Sequence, residues 1–188
     1  MGTRFLAAAA LDGEYKIAQY GQFDGYPEGA GVNILSFLQD IIETNRVEEF
    51  KNKLKTCVLS NRLTISESFY NSAPQFNIGL GEGIFDFILS GNGDLILENN
   101  IRFASNSLHC EWGYVIDFDR ERLECYKGFN KTPLSEDDRF SIFELFAKNN
   151  NSEGYHPIKK IYEISFKDIR FIRSKDFVNN INSIIGVT

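Results

Sequence analysis

The chain has 188 residues, a formal net charge of −6 and an isoelectric point near 5.0, a length that fits one globular domain over residues 1–188. With 43% hydrophobic residues, 17 Phe and 8 Tyr, it can bury a core and is not a disordered chain. The acidic balance excludes a general binder of nucleic-acid polymers, which needs a basic face, and no apolar run approaches the ~20 residues of a membrane-spanning helix.

Thr3 to Ala10 is a short apolar run leading to Asp12-Gly13, a dipeptide that turns one strand back on another. Glu14 to Tyr20 alternates. Residues 3–10 and 14–20 are therefore predicted as an N-terminal β-hairpin. The first strand is nearly all apolar, which predicts cover on both its faces. Gly21 to Gly31 contains four glycines and Pro27 and predicts no regular element. From Val32 a helical period begins, with Ile34, Leu35, Phe37, Leu38, Ile41 and Ile42 on one stripe. A second amphipathic stretch places Val47, Phe50, Leu54 and Val58 inward and Glu48, Glu49, Lys51, Lys53 and Lys55 outward.

Residues 60–80 are weakly patterned, and Asn71 to Pro74 marks a loop. Gly79 to Gly83 precedes a short helix closed by Gly91. Cys110 to Phe118 and Leu123 to Tyr126 read as strands joined by a hairpin turn, with Trp112, Tyr114, Ile116 and Phe118 on one face. Lys148 to Gly154 reads as a polar loop, and Ile158 to Phe166 as a strand. A last helix starts after Ser174 as N-cap and ends at Gly186, with Phe177, Ile181, Ile184 and Ile185 inward. The fold expected is α/β mixed (α+β): an N-terminal hairpin, a helical middle, a mainly antiparallel sheet and a C-terminal helix.

Cys57, Cys110 and Cys125 have no short paired spacing. They predict small buried apolar residues in a reducing cytoplasm rather than disulfides. His109 stands beside Cys110, but His156 is the only other histidine, so neither a metal nor another cofactor is expected.

The densest chemistry lies in residues 19–31, between a strand end and a helix start. Gln19 and Gln22 offer amides, Asp24 a carboxylate, and Tyr20, Phe23 and Tyr26 flat faces for stacking. Arg4 interrupts an apolar strand, and a buried arginine needs a partner, either Asp24 or an anionic group of a ligand. Trp112 and Tyr114 on the later strand are read as a pocket wall, with core packing of two aromatics on one strand as the alternative. The competing reading makes Asp24-Gly25 a simple Asx turn and Gly31 a packing position.

The opening Met1-Gly2-Thr3-Arg4, the stretch Gln19-Tyr20-Gly21-Gln22-Phe23-Asp24-Gly25-Tyr26-Pro27-Glu28-Gly29-Ala30-Gly31, the later Cys110 to Asp117, and Tyr126 to Asn130 resemble a family of small proteins from bacteria and their phages. The resemblance implies a cytoplasmic protein, often carried by phages or mobile elements, and supplies no established reaction. A second resemblance is similar in kind but shorter. Met-x-Thr-Arg, a hairpin and an Asp after the second strand resemble the start of N-terminal-nucleophile amidases of the choloylglycine-hydrolase type. There the second residue is a cysteine, freed by loss of Met, whose own α-amino group serves as base; here it is Gly2.

Three functions follow as expectations. The first is a binding protein for a small polar ligand, such as a nucleotide or nucleotide-derived host signal. It would use Arg4, Gln19, Tyr20, Gln22, Phe23, Asp24, Tyr26 and Trp112, without membrane attachment; a homo-oligomer is compatible with it. The second is a hydrolase using Thr3, Arg4, Gln22 and Asp24, degenerate in its nucleophile. The third is an acidic protein-interaction module, with Glu136, Asp137 and Asp138 on its surface.

Overall fold

A computed structural model describes residues 2–77, 79–150 and 153–186. Strand β1 (Phe5–Leu11) and strand β2 (Glu14–Gly21) form the predicted antiparallel hairpin. Asp12 and Gly13 both take positive φ (56° and 75°), the conformation a two-residue hairpin turn requires. All seven residues of β1 are buried.

The cause is the central place of β1 in a five-stranded sheet of order β2-β1-β5-β6-β7, with β5 (Trp112–Asp117), β6 (Arg122–Lys127) and β7 (Lys159–Ser165). β5–β6 and β6–β7 are antiparallel, but β1 runs parallel to β5, with Phe5 opposite Trp112 and Ala10 opposite Asp117. A strand paired on both edges and covered on both faces exposes none of its residues, and the continuous Phe-Leu-Ala-Ala-Ala-Ala-Leu run suits that place.

One face of the sheet carries Phe5, Ala7, Ala9, Trp112, Tyr114 and Ile116. It packs on helices α1 (Val32–Glu43), α2 (Val47–Lys55), α4 (Ile84–Ser90), α6 (Phe166–Ile169) and α7 (Ser174–Ile185). The other face carries Leu6, Ala8, Val115 and Tyr126, and is covered by Ala104, Phe140 and Ile158. Helix α3 (Glu67–Ser72), the parallel pair β3 (Cys57–Ser60) and β4 (Leu95–Glu98), and helix α5 (Glu144–Asn150) complete the element set.

The departures from expectation have local causes. Pro27–Gly31 forms a single π-helical turn that feeds α1, rather than an irregular loop. Val58 points out, because the helix ends before Thr56 and β3 restarts the alternation at buried Cys57. Asn71 and Ser72 end α3 rather than lying in a loop, and Pro74 opens a 3-10 turn (Pro74–Phe76). Lys148, Asn149 and Asn150 lie in α5, and residues 151–152 of that expected loop fall outside the described residues. The cap of α7 is Arg173, one residue before Ser174, and Ile184 is exposed on its outer side. In β7 the register shifts between Tyr162 and Lys160, which leaves Ile161 unpaired and bends that edge strand. Among the described residues no helix is long and apolar enough to cross a membrane.

Candidate functional site

The site is organised by the ring of Phe5, the first residue of β1. A Cβ added at Gly21 would lie 2.1 Å from that ring. One at Gly25 would lie 2.9 Å from the Phe5 Cβ, and one at Gly81 3.0 Å from the ring tip. Three glycines thus form a cage that only their missing side chains make wide enough for a phenyl ring. Gly29 has the same role toward the Asp24 carbonyl, which a Cβ would meet at 2.3 Å. The loop is also tied down by its backbone. Gly25 N–H donates to Thr3 O (3.0 Å), Ala30 N–H to Asp24 O (2.8 Å), and the buried Tyr114 hydroxyl to Gly25 O (3.0 Å). The glycines of residues 21–31 are therefore architecture, and they hold a rigid loop whose tip shows Phe23 (57% exposed) and Tyr26 (51% exposed) to solvent.

Tyr114 continues the construction inward. Trp112 stacks near-parallel on it, with centroids 6.5 Å apart. Directly across the β5–β6 ladder stands Lys127, whose Nζ lies 4.3 Å from the centre of the Trp112 ring and 5.3 Å from that of Phe129. Burial pushes the Lys127 pKa below its ordinary value, and the Glu111 carboxylate pushes back. Among the described residues no carboxylate lies within 4.0 Å of this ammonium, and no acceptor receives its hydrogens.

Glu111 also faces Arg4, with Oε1 3.8 Å from the guanidinium Nε. Two cations, Arg4 and Lys127, therefore act on one carboxylate at this end of the sheet. The Arg4 partner is thus Glu111 and not Asp24. Tyr20 and Gln22 sit beside Arg4: the Tyr20 hydroxyl donates to Gln22 Oε1, and the Tyr20 ring meets Phe103 edge-on at 5.0 Å. Burial raises the Tyr20 pKa, and the charge of Arg4 opposes that rise.

The eight residues singled out from the sequence divide into three groups. Arg4, Tyr20 and Gln22 come together. Phe23, Asp24 and Tyr26 stand on the exposed loop, Asp24 at φ 55°. Gln19 and Trp112 are 5% and 3% exposed, so neither offers a free face; Trp112 acts by holding Lys127. Lys127 is the residue that sequence reasoning missed. The signal was present, since a hairpin that closes Asp117 on Arg122 brings Trp112 opposite Lys127.

The elements of the hydrolase expectation sit differently. A Cβ at Gly2 would lie 2.4 Å from Gln22 O and 2.6 Å from the Phe23 ring, so a nucleophilic side chain does not fit there without rearrangement. Thr3 is buried, with its carbonyl engaged by Gly25. At the opposite end of the sheet Arg139 donates to Asp117 and to Glu124 (2.6 Å), and Tyr126 donates to Glu124 (2.7 Å). That charged group ties two strands to the covering segment, with every carboxylate partnered. His109 is exposed and Cys110 buried, so the two do not face one ligand. No protein-family model, curated protein or solved structure matches the chain.

Proposed function

We propose that this is a binding protein for a small anionic ligand of the nucleotide class, held at the end of the sheet where β1 and β5 begin. One observation carries the proposal: a partly buried ammonium, Lys127, clamped between two rings and without an acceptor among the described residues. Desolvating a cation is costly unless an opposite charge meets it, and an anion entering here completes that pairing. Arg4 supplies a second cation, Phe23 and Tyr26 supply exposed aromatic faces, and the Gln22 amide supplies polar contacts. Expected in the cytoplasm, such a protein would hold its ligand without turning it over.

Trp112 is the sole tryptophan and touches Lys127, so it reports on the site directly. Titration with adenosine 5′-monophosphate is expected to change its emission saturably. Hydrogen bonds to charged groups contribute about 1.5–3 kcal/mol, so Lys127→Gln is expected to weaken binding by about tenfold or more, with a smaller loss in Arg4→Gln. Unchanged affinity in a folded Lys127→Gln variant, or no saturable response to mononucleotide or pyrophosphate, overturns the proposal.

A further inference from the structure

Phe129 is the one apolar side chain among the described non-glycine residues held at positive φ (56°); the others are Asp12, Asp24, Asn45 and Glu121. A bulky L-residue is disfavoured in that conformation, and such outliers persist only where the surroundings over-determine them. Burial does not offset the strain, since Phe129 is 46% exposed. The backbone is pinned instead. Phe129 N–H donates to Ser107 O at 2.7 Å, and a Cβ at the preceding Gly128 would lie 2.1 Å from Cys110 O. The geometry thus fixes an exposed ring beside Lys127. On the far side the ring meets Tyr155 edge-on (6.5 Å), and the Tyr155 ring lies under Lys131 Nζ at 3.4 Å. Lys131 donates a hydrogen to Glu153 O (2.7 Å). The order along the surface is cation, ring, ring, cation.

We propose that this ladder selects a dinucleotide over a mononucleotide, with one base stacked on Phe129 and the two phosphates met by Lys127 and Lys131. The inference rests on the reading of Lys127 as an anion site and adds a second phosphate contact and a stacking plate. Alternating aromatics and cations are the means by which short single strands are held without reading their sequence.

The test compares adenosine 5′-monophosphate with the linear dinucleotide pApA on the full chain, by calorimetry and Trp112 emission. The dinucleotide is expected to bind about tenfold or more tighter. Lys131→Gln, an exposed change, is expected to remove most of that advantage while leaving mononucleotide affinity within about twofold, and to lower the salt slope for pApA by about 0.7. Phe129→Leu is expected to cost pApA about tenfold, with circular dichroism confirming the fold. Equal affinities for the two ligands, or an undiminished preference in Lys131→Gln, overturn the inference and leave the Lys127 site standing. Failure of both ligands to bind overturns both.

Discussion

Replacing Gly21 by alanine drives a methyl group into the Phe5 ring at 2.1 Å. Overpacking of this kind costs about 1–3 kcal/mol in a well-filled interior, and here the wall is a ring held by β1 and Tyr114 (edge-on, 6.4 Å). Gly21→Ala is therefore expected to lower the urea midpoint clearly, and the loss should shrink in a Phe5→Leu background, where the shorter side chain leaves room. Equal losses in the two backgrounds would falsify the cage. The comparison separates close approach from backbone freedom, because Gly21 does not take a positive φ. It also separates the two uses of residues 19–31. The glycines shape the core, whereas Phe23 and Tyr26 face solvent and can change with little effect on stability.

At the scale of elements, the two hairpins pair through β1 and β5, and one side chain ties their turns together. The Asp119 carboxylate, in the β5–β6 turn, accepts from Asp12 N–H (2.8 Å) and Gly13 N–H (2.9 Å) in the β1–β2 turn. The Gly13 bond holds its pKa below the ordinary value; burial opposes it, and the Asp12 bond adds to the depression. A carboxyl depressed in the folded state contributes stability above its unfolded pKa of about 3.9, and that contribution is lost as pH falls through the folded value. Asp119→Asn keeps an acceptor but removes the titration. Its stability is expected to fall less steeply than that of the wild type below about pH 4, measured by urea unfolding across pH; parallel curves would assign the acid limb to other groups. These turns were also the most legible part of the chain. Asp12-Gly13 between apolar and alternating runs announces a hairpin, and the stripe from Ile34 to Ile42 announces α1. The parallel pairing of Phe5 with Trp112 leaves no local trace, because each strand meets its partner only after the whole helical middle intervenes. Val58 was misread because a helical period continues to match by chance after the helix has ended. Within the site, the aromatic and charged residues of 19–26 were visible as chemistry. The strained backbone of Phe129 was not, since glycine, asparagine and aspartate advertise a positive φ in sequence and phenylalanine does not.

For the whole molecule, burial holds the interior thiols and phenols in their protonated forms. All three cysteines are free and buried, as expected. Burial pushes the Cys57 thiol up to about 11, and the fully enclosed Cys110 and Cys125 higher still. Burial likewise raises the phenols of Tyr114 and Tyr126. An acid with a raised folded pKa contributes stability that is intact below its unfolded pKa and lost as pH rises toward the folded value, because the unfolded chain releases its proton first. Unfolded thiols ionise near 8.5, and each proton is worth about 1.36 kcal/mol per pH unit, so three thiols give a slope approaching about 4 kcal/mol per unit above pH ~9. The tyrosines join above about pH 10. Lys127 acts in the opposite sense. Its folded pKa is lowered, so its burial cost is relieved as pH rises, but it is one proton against three. Stability measured by urea midpoint under reducing conditions is therefore expected to fall steeply from pH 9 upward. A Cys57→Ala, Cys110→Ala double variant starts lower because it leaves cavities, yet its slope should be shallower by about two protons' worth, roughly 2.7 kcal/mol per unit. A double variant whose curve runs parallel to the wild type would show that these thiols reach solvent before the chain unfolds.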